Sequence, residues 1–191
     1  LLAFEKEDIW KYAGARRRSH LDSDGISKEQ SFLYPSSSEA ERILHERLRF
    51  GCYLSHVRVW EQLVHSRLPH AVILEDDVSI VEGFNKSLLH LLNSLPVDWD
   101  IAYLNSCHAK FGGLLRPGVR QLRGALCTYG YAINRKGADK LLRGTALFSE
   151  KPVDHMLDES IYSSLLMAYH ASPPLIAQRD TKSTLEYPDN P

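Results

Sequence analysis

The sequence predicts an α/β fold: a sheet flanked by helices, with ligands expected at the carboxyl ends of its strands. Three observations carry that expectation. Ala71-Val72-Ile73-Leu74 is a short, wholly apolar run of the kind buried in a parallel sheet, and it delivers Glu75-Asp76-Asp77 at its carboxyl end. Tyr53, Val57, Trp60 and Val64 before it, and Phe84, Leu88, Leu91, Leu92 and Leu95 after it, repeat at helical spacing. Further apolar runs, Trp99 to Leu104 and Leu126 to Ile133, alternate with helical patterns, which is the rhythm of strands and helices in turn.

The remaining elements follow in order. Residues 1–48 are poor in pattern; turn formers such as Asp22, Asp24, Gly25 and Pro35 to Ser38 mark a loop-like segment. A short helix from Ser38 to Arg47, with Ser38 as its N-cap, is expected to close it. The Tyr53 helix begins after Gly51 and stops at Pro69. Gly112-Gly113, Pro117 and Gly118 predict a long loop. Arg135 to Arg143 reads as a helix, and Asp154 opens another running to Tyr169. Pro174 to Gln178 is a last strand before a polar tail ending in Pro188 and Pro191.

Composition narrows the function classes. Of 191 residues, 43% are hydrophobic and 25% charged, enough to bury a core. Lys plus Arg (23) nearly balance Asp plus Glu (24), so no electrostatic case exists for a nucleic-acid partner. Arg16-Arg17-Arg18 reads as a solvated face. Cys52, Cys107 and Cys127 lie far apart without CxxC spacing, which predicts buried free thiols in a reducing compartment. No run approaches the roughly 18 apolar residues of a membrane span, and no basic-then-apolar leader opens the sequence. The histidines show no HxxxH or HExxH spacing.

The acids carry the chemistry. Three adjacent carboxylates repel one another and are costly to desolvate unless a cation neutralises them, and hard oxygen donors suit Mg²⁺ or Mn²⁺. On an extended strand end Glu75 and Asp77 point one way and Asp76 the other. That leaves Asp76 for a ribose hydroxyl or a backbone amide. The same geometry serves phosphohydrolases, and acids ending a strand also cap turns, so the triplet alone selects no reaction.

Taken together, several segments resemble glycosyltransferase family 25, which includes bacterial lipopolysaccharide sugar transferases and animal collagen galactosyltransferases. Gly51-Cys52-Tyr53-Leu54-Ser55-His56 with Trp60 is similar to the family's GC-x-LSH-x-x-x-W helix. Leu74-Glu75-Asp76-Asp77 resembles its LEDD metal motif, and Trp99-Asp100 with the apolar run after it resembles the next strand. Tyr129 to Ile133 with Gly137-Ala138 and Leu141-Leu142, then Pro152-Val153-Asp154, then Pro174-Leu175 with Gln178 and Ser183, follow in the family's order. The resemblance covers residues 49–184, leaving 1–48 as a separate N-terminal segment and 185–191 as a tail. Arg49 departs from the pattern, and the family's opening nucleotide strand is not visible in residues 1–48, so it either precedes Leu1 or has diverged.

What the resemblance implies is a GT-A-like, inverting, metal-dependent transferase. It would move galactose or glucose from a UDP-sugar to a hydroxyl of a glycan, a lipid-linked glycan or a protein. Asp77, then Glu75 and Asp76, are the implied ligands of Mn²⁺ or Mg²⁺. Asp154 is the implied base, weighed against a plain helix N-cap. Ser55, His56, Asp76, Gln178 and Ser183 are the implied donor-binding set, with His56 weighed against a packed structural histidine. Trp60 and Tyr131 read as core. A phosphohydrolase or a non-catalytic carbohydrate- or partner-binding member are the alternatives. The short domain and sparse cysteines favour a cytoplasmic enzyme with at most peripheral contact at the inner membrane face; the collagen-modifying branch would instead sit in the endoplasmic reticulum lumen.

Overall fold

The computed structural model describes residues 39–144 and 151–179. In chain order these form α1 (Glu39–His65), β1 (His70–Leu74), β2 (Val78–Ile80), α2 (Phe84–Ser94), β3 (Ile101–Arg116) and β4 (Val119–Asn134), followed by α3 (Arg135–Gly144), α4 (Val153–Tyr162), β5 (Ala168–Ala171) and β6 (Ile176–Gln178). The chain divides into two compact units, and described residues 39–55 belong to one and those from His56 onward to the other.

The expected mixture of helices and strands is present, but the sheet differs from the expected one. The main sheet has four strands in the order β1-β4-β3-β5, and only the β3–β5 pairing is parallel. β1 pairs antiparallel with β4 alone, His70 opposite Asn134 through Leu74 opposite Gly130. An apolar run of four residues is equally at home in a buried antiparallel ladder, so periodicity could not distinguish the two.

The expected loop at Gly112 to Gly118 is the far half of one long hairpin. β3 and β4 each span 16 residues. Arg116 pairs with Val119, so Pro117-Gly118 alone makes the turn, with Gly118 at φ +86°. Proline first and a left-handed glycine second is the type II pattern. Gly112 lies inside the strand, where a Cβ would come 2.7 Å from the end of the Gln121 side chain.

Three further boundaries move. The two helices expected on either side of Gly51 are one helix of 27 residues; a Cβ at Gly51 would meet nothing, and a helical glycine costs only about 1 kcal/mol. The buried stripe of α1 within the larger unit is His56, Trp60 and Leu63, whereas Val57 and Val64 are half-buried. The helix from Asp154 stops at Tyr162, and Ala168 to Ala171 are a fully buried strand. Ser38, the expected N-cap, lies outside the described residues.

Alternation along the hairpin assigns its two faces. Ala102, Leu104 and Ala132 pack with Leu91 of α2, with Leu95 at its C-cap and with Ile176. Tyr103 and Tyr131 are on the opposite face, where Tyr131 meets His56 and Trp60 of α1. One charge is buried with this core. Asp100, with no exposed surface, takes the Lys140 ammonium at 2.5 Å, and its Oδ2 also accepts the Met167 amide at 2.9 Å. Lys140 spans further to the Leu165 carbonyl. Lys136 is 3.9 Å from Asp100 and largely exposed.

Removing one partner of a buried ion pair leaves the other desolvated and unpaired. Lys140→Met should therefore lower unfolding free energy by about 3 kcal/mol or more, whereas Lys136→Ala should cost under about 1 kcal/mol. Urea denaturation of both variants checks the contrast. Equal losses would remove the buried pair from its assigned role.

Candidate functional site

The site is built where β1 ends beside a bulge in β4. Between the pairs Asn105–Gly130 and Cys107–Leu126, β3 advances two residues while β4 advances four. The surplus falls on Cys127, Thr128 and Tyr129, and Cys127 adopts φ +62°. A bulge of this kind unpairs backbone groups and re-aims side chains. Here the Cys127 N–H leaves the ladder and donates to Asp154 Oδ2 at 3.2 Å. The Thr128 hydroxyl donates to Glu75 Oε1 at 2.5 Å, while the Glu75 amide donates to the Tyr129 carbonyl. Gly130 lets this happen: a Cβ there would come 2.6 Å from Ile176 and 2.7 Å from Leu74.

A disulfide joins Cys107 to Cys127 across the bulge, with Cα atoms 5.5 Å apart. This overturns the expectation of free thiols for two of the three cysteines, and with it the inference of a reducing compartment. Only Cys52 is outside a disulfide. The sequence held a partial signal for the pair: a two-residue turn at Pro117-Gly118 brings the two cysteines close across the hairpin, although the register places Cys107 opposite Leu126.

The acids fall into separate roles. Asp76 is exposed and Glu75 and Asp77 are half-buried, in keeping with the expected alternation. Burial pushes the Glu75 carboxyl up from its usual range; the Thr128 hydrogen bond partly offsets this, and the charges of Asp77, Asp154 and Asp76 add to it. Asp77 Oδ2 accepts from Gln178 Nε2 at 3.0 Å, while its Oδ1 is buried without a hydrogen-bond partner. That contact arises because β2 and β6 pair with Val78 opposite Gln178. Arg179, which the sequence reading missed, donates its amide to the Asp77 carbonyl and its guanidinium to the Asp76 carbonyl.

Asp154 lies in the first turn of α4, but the N-cap is Pro152. Pro152 makes no side-chain cap hydrogen bond, and Asp154 stands inside the helix rather than at the cap position. Asp154 Oδ1 accepts from the His155 amide at 2.8 Å and Oδ2 from Cys127, so two backbone donors fix the carboxylate. Its charge reaches His56, Glu75 and Tyr103. Tyr103, another residue missed in the sequence, has a fully buried hydroxyl without a partner; burial raises its pKa, and the charges of Asp154 and Asp158 raise it further.

His56 is buried in a polar chain. The Trp60 indole donates to the Tyr131 hydroxyl at 3.1 Å, and that hydroxyl lies 2.7 Å from His56 Nδ1. Desolvation lowers the His56 pKa from 6.5 to about 4, against a smaller opposing pull from Asp154. Ser55 lies in the smaller unit and donates its hydroxyl to the Gly51 carbonyl at 2.8 Å, while Ser183 lies outside the described residues.

Among the described residues no three His, Cys, Asp or Glu side chains gather closely enough to hold a metal ion. The expected triplet is therefore not assembled as a three-ligand site. The donor set still fits a divalent ion of the kind that one or two carboxylates share with substrate phosphates and water. Asp77 offers a buried, unpartnered oxygen, and no ion pair among the described residues neutralises Glu75, Asp76, Asp77 or Asp154. No described helix is long and apolar enough to cross a membrane.

His56 makes a pH prediction. A histidine held neutral when folded but free to protonate when unfolded adds stability above pH 6.5 and loses it as pH falls toward 4. The loss amounts to about 3 kcal/mol. His56→Gln should lack this component, so its stability relative to the parent should improve across that window. Parallel denaturation curves from pH 7 to pH 4 test it; a constant difference would show that His56 protonates without cost.

The sequence model for "Glycosyltransferase family 25 (LPS biosynthesis protein)" matches residues 15–157. That match begins upstream of the motifs quoted above, which start at residue 49. Among similar proteins, Procollagen galactosyltransferase 1-A of Xenopus laevis is 34% identical over 119 residues, covering 58% of this chain and 20% of its own length. Procollagen galactosyltransferase 2 of Homo sapiens is 31% identical over 119 residues, covering 58% and 19%. Inactive glycosyltransferase 25 family member 3 of Homo sapiens is 32% identical over 116 residues, covering 56% and 19%. The chain thus spans about a fifth of the length of the curated relatives it matches.

Proposed function

Because the chain belongs to glycosyltransferase family 25, we propose that it carries the acid-bearing part of an inverting hexosyltransferase that uses a UDP-sugar and a divalent metal. The observation behind this reading is the bulge in β4, which serves Glu75 through Thr128 and Asp154 through the Cys127 amide. Galactose as the sugar and a protein hydroxyl as the acceptor follow the names of the procollagen galactosyltransferases it resembles. Glucose, and a glycan or lipid-linked acceptor, belong to the same chemistry.

Asp154 acts as the base. Its two backbone donors hold the carboxylate still, so it can take the acceptor hydroxyl's proton as the oxygen attacks the sugar carbon opposite the leaving diphosphate. Asp77, with its unpartnered Oδ1, is the first ligand for Mg²⁺ or Mn²⁺, and Glu75 the second. When bound, the ion supplies positive charge to the departing diphosphate. Gln178 orients Asp77 by holding Oδ2, which leaves the buried Oδ1 without a hydrogen-bond partner. Thr128 plays the same part for Glu75. His56 braces Tyr131 and Trp60 from within the core, and its donor-binding role gives way to that one.

The disulfide favours an oxidising compartment such as the endoplasmic reticulum lumen over the cytoplasm. A non-catalytic reading has one observation in its favour: relatives named inactive match this chain as well as active ones do. Turnover decides between them.

Asp77→Asn should abolish Mn²⁺-dependent binding of UDP without unfolding the chain, because it removes a ligand charge and no packing. Calorimetric titration of UDP with and without Mn²⁺ reads this; unchanged affinity would exclude Asp77 from the site. Asp154→Asn should bind UDP normally yet lose turnover by about a hundredfold or more. Retention of the parental rate of UDP release from UDP-galactose would reduce Asp154 to a residue of the helix start.

A further inference from the structure

We propose that the Cys107–Cys127 disulfide is a positioning device for Asp154, so that its oxidation state governs turnover and leaves donor binding untouched. The inference rests on the reading of Asp154 as the base.

Four observations converge on it. The bond ties the two strands of the hairpin at the irregular stretch, where β4 carries its surplus residues. Cys127 itself holds the left-handed conformation that turns its N–H out of the ladder, and His108, beside the other half-cystine, is left-handed too at φ +48°. Non-glycine residues hold that conformation only when their surroundings enforce it. The N–H so released ends on Asp154 Oδ2. By contrast, Asp77, the first metal ligand, is held by Gln178 and the β2–β6 pair, outside the bulge, whereas Glu75, held by Thr128 and the Tyr129 carbonyl, shares the bulge with Cys127.

The chemistry is a two-electron exchange. A dithiol attacks one sulfur as its thiolate, and the resulting mixed disulfide is resolved by the dithiol's second sulfur. Cys107 and Cys127 leave as thiols with two electrons and two protons gained, while the reductant becomes a disulfide. Without the cross-link, Cys127 can relax toward the ordinary extended conformation and return its N–H to the ladder. Asp154 then keeps only the His155 amide. A base displaced by a fraction of an ångström loses rate, whereas a diphosphate held through Asp77, outside the bulge, keeps its first ligand.

The test uses the full chain in a Cys52→Ser background, with UDP-galactose and Mn²⁺ as probes and water as the acceptor. Rates of UDP release, UDP affinity and the near-ultraviolet circular dichroism spectrum are measured for the oxidised protein, after dithiothreitol, after reoxidation, and for Cys107→Ser with Cys127→Ser. The expected result is a fall in kcat of about tenfold or more on reduction and in the double variant. UDP affinity should stay within about twofold, and kcat should recover on reoxidation of the parent alone. An unchanged kcat in the reduced protein overturns the proposal. So does a parallel loss of UDP affinity or of the near-ultraviolet spectrum, since the disulfide would then hold the fold at large. Asp154→Asn, measured alongside, separates the two levels: if it retains turnover, the base assignment fails, whatever the disulfide does.

Discussion

The buried Asp100 carboxylate is the constraint on which the rest of the larger unit depends. It lies at the foot of the long hairpin, one residue before β3, and has no exposed surface. Lys140 reaches it from α3 and the Met167 amide from the approach to β5, while its own carbonyl takes the Asn134 amide at the end of β4. Three segments distant in sequence are thereby fixed to one point. A charge so deeply placed tolerates no slippage, because any shift would leave it desolvated without a partner. Gly137 fits the same point: a Cβ there would come 2.6 Å from the Asp100 carbonyl.

From that anchored foot the hairpin runs regularly as far as Tyr103 opposite Tyr131 and then becomes irregular. Core and site diverge at this place. Below it, the strands bury Ile101, Ala102, Ala132 and Ile133 completely. Above it, the bulge turns backbone and hydroxyl donors toward carboxylates that would otherwise repel one another without relief. Glu75 illustrates the balance. Its desolvation and three neighbouring negative charges oppose ionisation, and a single hydroxyl from Thr128 favours it. Like charges so concentrated raise the cost of ionising each carboxyl, which is why the hydroxyl of Thr128 matters at Glu75.

His56 shows how a family resemblance and a residue's own position can point to different roles. It belongs to a segment that resembles a family helix, and a donor-binding role was its implied meaning. Its position three residues from Val59 and four from Trp60 places it on the buried stripe instead, where it is neutral and bonded to Tyr131. Tyr103 shows the converse. It reads as one apolar residue in a strand, yet its hydroxyl is buried beside the charges of Asp154 and Asp158.

The sequence by itself determined the elements whose signals are local. The α2 stripe, the apolar β1 run with its acids, the helix after Asn134 and the helix opening near Pro152 all follow from spacing and side-chain type. The family membership was legible for the same reason, since ordered short motifs survive without knowledge of their neighbours. Only tertiary structure decided the rest. The direction of β1, the length of the hairpin, the Cys107–Cys127 pairing and the partners of Glu75 and Asp154 all depend on which strands lie side by side. An apolar run carries no mark of parallel or antiparallel neighbours, and glycines read equally as loop or as close strand contacts. The bulge in β4 is the clearest case: two strands of equal length hide a surplus that appears only when their residues are paired, and that surplus aims the donors at the acids.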